Sequence, residues 1–177
     1  MPPPFKVELA EHNPCWSEAA EAQAAILRIA LNPILLAVHH IGSTAIPGLA
    51  AKPILDLMPV VGDLHDLDRR RNDLEAVGFA WWGEFGLPGR RYATKDECHS
   101  GRRLVQLHCF AKGSPDIERH LVFRDYLRKR PDLVASYAHE KVRCRALHPE
   151  NSHAYGACKS AWIDAVEAAA LADRLIS

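Results

Sequence analysis

Two short apolar runs, separated by a turn of small residues, dominate the first third of the chain. Leu35 to Ile41 is apolar except for His39 and His40, Gly42-Ser43-Thr44 interrupts it, and Ile54 to Val61 is apolar except for Asp56. Runs of this length bounded by turn residues predict two buried strands. Alternation puts Ile54, Asp56, Met58 and Val60 on one face of the second strand and Leu55, Leu57 and Pro59 on the other. A charged carboxylate without a partner in a buried strand is costly, so Asp56 needs either a partner or a task.

The remaining pattern fills in around this pair. Lys6 to Ala10 reads as a short edge strand. Ser17 is placed to cap a helix over Glu18 to Leu31, whose Ala22, Ala25, Ile26 and Ile29 recur at helical spacing. Asp63 can cap a helix reaching Val77, with Leu64, Leu67 and Leu74 inward, and Gly78 stops it. Phe79 to Trp82 and Arg90 to Thr94 read as strands. Arg102 to Phe110 alternates, with Leu104, Gln106, His108 and Phe110 on one face. Ser114 and Pro115 then open a helix to about Arg130, Pro131 opens one to about Ala146, and Asn151 or Ser152 opens the last, to about Leu175. These elements predict one α+β domain over residues 1–177: a mixed-sheet head at about 6–112 and a helical tail at about 114–176.

Composition narrows the class without naming a function. The 177 residues can bury a sizeable core, and 48% apolar with 25% charged residues is ordinary for a globular domain. Twenty-two basic residues balance 22 acidic ones, so no global field favours nucleic acid or an anionic membrane, and no basic patch is interleaved with aromatics. No stretch has the length of a membrane span or the pattern of a signal peptide, which points to the cytoplasm. The cysteines at 15, 98, 109, 144 and 158 are odd in number and lack a CxxC pair, so reduced thiols are expected.

The order of a Gly-Ser turn after one strand and an acid on the next resembles the nucleotidyltransferase superfamily. Longer motifs go further: HIGSTAIPGLAAKPILDL at His40 to Leu57, RRY at Arg90 to Tyr92, LHCF at Leu107 to Phe110, KGSPDIERHLVFRDYLR at Lys112 to Arg128, and the closing Tyr155 and Lys159. Together these resemble the GrpB family from about Val7 to Ala165. The resemblance implies a mixed β-sheet nucleotidyltransferase-like core with an N-terminal helix and a C-terminal helical tail. It also implies a Gly-Ser turn that holds a triphosphate and an acidic strand that holds Mg²⁺.

The residues themselves support part of that chemistry. Gly42 leaves the backbone clear for phosphate oxygens to approach N–H groups and the Ser43 and Thr44 hydroxyls. Lys52 sits at the mouth of the second strand, and Lys52, Arg91, Arg119 and Arg124 match positions in the family motifs and are suited to bind an anion. Lys141, Tyr155 and Lys159 in the tail are weaker candidates, and Tyr155 and Lys159, four apart on a helix, either close a pocket from above or form a helix surface pair. Asp56 is a candidate metal ligand or base. The second carboxylate that two-metal transfer needs two residues on is absent, because that position is Met58. Histidine is what the chain supplies instead: His40 and His108 near Asp56 would form either a metal site, with Asp56 and His108 as ligands, or an acid–base set.

The expected function is a nucleotidyltransferase-like enzyme acting on an anionic small molecule, with a nucleoside triphosphate and a divalent ion (Mg²⁺, Mn²⁺ or a transition metal) as the first candidates. The alternatives are the same scaffold turned to proton transfer, cyclisation or hydrolysis of a metabolite, and a non-catalytic nucleotide or metabolite sensor.

Overall fold

Asp56 stands on an interior strand, which explains why that strand is apolar on both faces. The computed structural model describes residues 2–176. It contains α1 (Cys15–Ala30), β1 (Leu35–Ile41), a 3-10 turn (Ser43–Ala45), β2 (Leu55–Val61), α2 (Leu64–Arg69), α3 (Arg71–Ala76), β3 (Ala80–Trp81), β4 (Arg90–Asp96), β5 (Arg103–Ala111), α4 (Pro115–Arg128), α5 (Pro131–Leu147) and α6 (Ser152–Ile176). The five strands form one mixed sheet in the order β1-β2-β5-β4-β3. β2 and β5 are parallel, and the other neighbours are antiparallel. Among the described residues no helix is long and apolar enough to cross a membrane.

The two sheet faces are buried differently. On one, Leu55, Leu57 and Val61 of β2 and Val105, Leu107 and Cys109 of β5 pack with Leu27 of α1, Leu67 of α2 and Leu74 of α3 in a dry core. On the other, Met58, Phe110 and Ile41 meet Ile117 and Leu121 of α4. A third cluster joins Leu127, Tyr137 and Val166 of the tail to Ile46 and Leu49 in the connection after β1. Cations of the tail bind carbonyls of the same region: Arg124 Nη1 donates to His40 O at 3.0 Å, Arg128 Nε to Ala45 O at 2.9 Å and Lys141 Nζ to Ala50 O at 2.7 Å. The tail thereby fixes the turn that the sequence marked as a phosphate holder.

That turn depends on one glycine. Gly42 has φ 68° and ψ −169°, a backbone region that side chains exclude. A Cβ built there would lie 2.4 Å from Asp56 Oδ2 and 2.9 Å from Asp56 Cβ. The end of β1 and the carboxylate of β2 are in contact only because position 42 has no side chain.

Several expectations are corrected. The helix expected from Asp63 to Val77 is two short helices. Asp63 does cap, its Oδ1 accepting from His65 N at 2.6 Å. Arg70 then leaves helical geometry at φ −95° and ψ 12°, its guanidinium bonded to Asp73 and to Asn32 O. α1 starts at Cys15, where Asn13 Oδ1 accepts from Cys15 N at 3.0 Å, so Asn13 does the work assigned to Ser17. The edge strand at Lys6 to Ala10 is reduced to a bridge between Ala10 and Ala51, because Val7 N bonds to Pro149 O and the segment runs along the α5–α6 junction.

The cysteines also depart from expectation. Cys144 and Cys158 form a disulfide between α5 and α6, and Cys15, Cys98 and Cys109 are free. The hairpin of the two helices brings their Cα atoms to 5.8 Å, a proximity that sequence spacing does not reveal.

Two measurements follow. Thiol titration of the denatured chain without reductant is expected to count three reactive cysteines, and five after reduction; five without reductant would rule out the bridge. Gly42→Ala is expected to cost about 1–3 kcal/mol from backbone strain alone, with a further loss from the collision with Asp56. Gly48→Ala should cost less in urea denaturation, since a Cβ at position 48 meets nothing within 4 Å.

Candidate functional site

Asp56 and His108 meet because β2 and β5 are parallel neighbours and both residues project from the same sheet face. His108 Nε2 lies 3.3 Å from Asp56 Oδ1. Arg90 Nη1, from β4, lies 3.4 Å from His108 Nδ1. A guanidinium can only donate, so this arrangement suits Nδ1 as acceptor and leaves the Nε2 proton for Asp56. Tyr92 packs edge-on against the His108 ring, Phe85 stacks on Tyr92, and His120 lies on the far side of His108. Burial pushes the His120 imidazole down to about 3, with the positive charge of its neighbours adding to the effect, so it stays neutral. Burial on its own would raise the Asp56 carboxyl. The His108 hydrogen bond and the positive charge around it, Lys52 and Lys159 included, outweigh that and hold it below the usual carboxylate range.

The positive charge comes from three parts of the chain. A cavity of about 180 Å³ is lined by Ser43, Thr44, Asp56, Gln106, Tyr155 and three lysines. Lys52 arrives from the loop before β2, Lys141 from α5 and Lys159 from α6. Their contacts are carbonyls and ring faces. Lys141 donates to Ala50 O and lies over Tyr137 at 5.0 Å, Lys159 lies over Tyr155 at 4.4 Å, and Lys52 lies between Phe5 at 4.9 Å and Tyr155 at 5.7 Å. Burial depresses all three amines, the charges of neighbouring cations add to the effect, and Asp56 opposes it. Lys159 falls to about 8 and Lys141 well below its ordinary value. A cavity with three lysines and one carboxylate is therefore short of negative charge.

The donor set fits a pair of divalent ions poorly. Two-metal transfer needs clustered carboxylates, but Met58, two residues after Asp56, is fully buried in the apolar cluster under α4. The residue of β5 paired with Asp56 is Gln106, an amide where an acid would be required. The only group of three His, Cys, Asp or Glu donors close enough for one ion, among the described residues, is Glu140, Cys144 and Cys158, whose sulfurs are joined in the disulfide. Asp56 and His108 offer two donors, and the lysines facing the cavity repel a cation.

The structure brings together Gly42, Ser43, Thr44, Lys52, Asp56, His108, Tyr155 and Lys159. It separates four other candidates from them. His40 pairs with Leu57 in the β1–β2 ladder and so points to the face opposite Asp56, where its Nε2 lies 2.9 Å from Thr44 Oγ1. The expected convergence of His40, Asp56 and His108 is corrected to Asp56 and His108. Burial lowers His40 to about 4, which suits a neutral ring buttressing the turn from behind. Arg91 pairs with Cys109 on the dry face and grips Asp68 through two bonds, 2.6 and 2.8 Å. Arg119 bonds Glu167 and Asp116. Arg124 bonds Asp125 and His40 O.

Three residues belong to the site that sequence reasoning passed over or ranked low. Arg90 shares the face of Tyr92 by alternation, so strand period was a usable signal for choosing it over Arg91. Gln106 shares the face of His108. Lys141 carried no signal beyond its charge, since its helix has little amphipathic pattern.

Comparison with known proteins bears on the fold and the family. A solved structure described as conserved protein GrpB from Enterococcus faecalis superposes with a TM-score of 0.87 at 36% identity, covering 95% of this chain and 99% of that one. A chain of the Cid1 poly(U) polymerase, in a structure described as bound to Mg 3′-dATP, superposes with a TM-score of 0.55 at 14% identity over 87% of this chain and 49% of that one. That likeness is one of fold, and the fold is nucleotidyltransferase-like. UPF0157 protein YqkA of Bacillus subtilis (strain 168) is 38% identical over 165 residues, 93% of this chain. The chain spans only 47% of that relative's length. A family model described as GrpB protein matches residues 6–169, and the chain belongs to the GrpB family.

Proposed function

We propose that the chain binds a phosphorylated small molecule in the lysine cavity and acts on it as a nucleotidyltransferase-like enzyme, with Asp56 as base and His108 as the residue that orients it. The observation that carries this reading is the imbalance of charge: Lys52, Lys141 and Lys159 face one carboxylate in a cavity that also offers the Ser43 hydroxyl. Phosphate oxygens supply the missing negative charge and accept charge-assisted hydrogen bonds from the amines. Fixed lysines then do part of what bound ions do elsewhere, meeting the charge that develops on a transferring phosphoryl group. Asp56, ionised at neutral pH, is placed to take a proton from an incoming hydroxyl, while the His108 Nε2 proton holds Oδ1. A nucleoside triphosphate is the first candidate ligand, held by the lysines without dependence on Mg²⁺ or Mn²⁺. Met58 in place of a second carboxylate supports a second reading, in which the same base moves a proton on a phosphorylated metabolite and no nucleotidyl group is transferred.

Thermal-shift titration with tripolyphosphate and with the four ribonucleoside triphosphates tests this, each in EDTA and in Mg²⁺ or Mn²⁺. Ligand at about a hundred times its Kd raises stability by about 2.7 kcal/mol, so stabilisation in EDTA is expected for wild type and most of it should vanish in Lys159→Ala. Asp56→Asn should bind at least as well as wild type and lose turnover, because it removes negative charge from the site. Binding that requires Mg²⁺ or Mn²⁺ and disappears in Asp56→Asn would overturn the reading.

The pH profile has a defined sign. The free Lys159 amine is protonated below about 8, and a bound phosphate raises its pKa, so binding takes up a proton above that value. Affinity is expected to fall above pH 8, approaching tenfold per unit for one linked proton. Lys159→Arg should keep binding with a flatter profile, since a guanidinium stays charged throughout. A profile that is level to pH 10 in wild type would remove Lys159 from the site.

A further inference from the structure

A second cavity, of about 330 Å³, opens beside the lysine cavity, and Lys52 and Ile54 line both. One wall is apolar, formed by Pro3, Pro4 and Phe5 of the N-terminal segment with Pro53 and Ile54 just before β2, and charged side chains line the rest. The segment is held in place, since Phe5 N donates to Ser152 Oγ at 3.2 Å and Ser152 N to Phe5 O at 3.0 Å. The charged groups around this outer cavity are already neutralised by their own neighbours. Lys6 pairs with Glu8, Arg102 with Glu97 and Arg103 with Asp96. Lys52 alone brings unbalanced charge to it, and Lys52 stands at the junction, with the Phe5 ring on the outer side and the Tyr155 ring on the inner.

The two cavities thus divide a ligand by chemistry. The inner one is cationic and holds phosphate. The outer one has one apolar wall and, Lys52 apart, charged groups that are already paired and can bond the edges of a ring at its rim. We infer that the outer cavity is the seat of the ligand's uncharged heterocyclic body, as in a nucleoside, with the phosphate nearest that body at Lys52 and the rest of the phosphate chain toward Ser43, Lys141 and Lys159. This rests on the lysine cavity as the phosphate site and adds where the uncharged body of the ligand sits and which way the phosphate chain runs. A flat ring fits between the prolines and Ile54, and its apolar faces lose contact with water there.

Isothermal titration of the full chain in EDTA, with tripolyphosphate and each of the four ribonucleoside triphosphates, separates this inference from the one beneath it. At least one nucleoside triphosphate is expected to bind about tenfold or more tightly than tripolyphosphate, the return from burying some tens of Å² of ring surface. Pro4→Trp, which fills the outer cavity, should abolish that advantage and leave tripolyphosphate binding in place. Glu8→Trp at the exposed rim is the second variant should the first fail to fold. If tripolyphosphate binds and no nucleoside triphosphate binds more tightly, or if both filled variants keep the advantage, the outer cavity is not a nucleoside seat while the phosphate site stands. If tripolyphosphate does not bind and Lys159→Ala changes nothing, both inferences fall.

Discussion

A single ionised carboxylate on an interior strand is the constraint around which this fold is arranged. Asp56 lines a cavity rather than lying sealed in the core, yet it is withdrawn from bulk water, and its charge has to be answered by residues from elsewhere. His108 answers it from the parallel neighbour strand, Lys52 from the loop before its own strand, and Lys159 from the last helix. Removing one partner from a buried charge pair typically costs about 3–5 kcal/mol, so the compensation is an energetic reason for the helical tail to dock where it does. Gly42 completes the arrangement from the other side, because its bare backbone is what allows the turn to close over the carboxylate.

The compensation is lopsided, and the excess is where function enters. One carboxylate would be satisfied by His108 and a single lysine, but three lysines face the cavity, each with its proton loosened by burial and by a neighbouring cation. Such a set is costly in the free protein and is relieved by an anion. The nucleotidyltransferase-like fold ordinarily invites a metal-centred account, but a fold does not dictate its chemistry. Here the second acid position is occupied by a core methionine and the strand position opposite Asp56 by an amide, so the carboxylate cluster for two metal ions is missing and the positive charge beside Asp56 is the chain's own.

Local pattern made part of this legible. The apolar runs gave both strands, the small-residue turn gave the bend that closes over Asp56, and the lone Asp56 in an apolar run stood out because a buried charge is expensive. Alternation on the later strand picked His108 by the same logic. What could not be read is what depends on register and on partners distant in sequence. His40 and Ile41 are neighbours, and only the β1–β2 pairing, shifted by an irregularity between Leu35 and Ala37, decides that His40 faces away from Asp56. Arg91, Arg119 and Arg124 read as anion ligands until Asp68, Glu167 and Asp125 are found beside them. Lys141 lies in a helix of weak amphipathic pattern, and its burial follows from how α5 packs on the turn. Cys144 and Cys158 became partners through the same α5–α6 packing.

The division of labour between arginine and lysine follows from what each cation already holds. Arg91, Arg119 and Arg124 are engaged by carboxylates, Arg91 through two parallel bonds, and such charge-assisted pairs are the strong ones. An incoming phosphate would have to break them and leave a carboxylate unpaired. Lys52 and Lys159 hold ring faces, contacts worth about 0.5–2 kcal/mol, and Lys141 holds a carbonyl that a second donor or water can satisfy. A hydrogen bond from an amine to a charged oxygen is worth about 1.5–3 kcal/mol. Exchange of a ring face for a phosphate oxygen is therefore favourable for Lys52 and Lys159, while exchange of a carboxylate is not for the arginines. The guanidiniums keep the scaffold in place, and the amines are free to turn to the ligand.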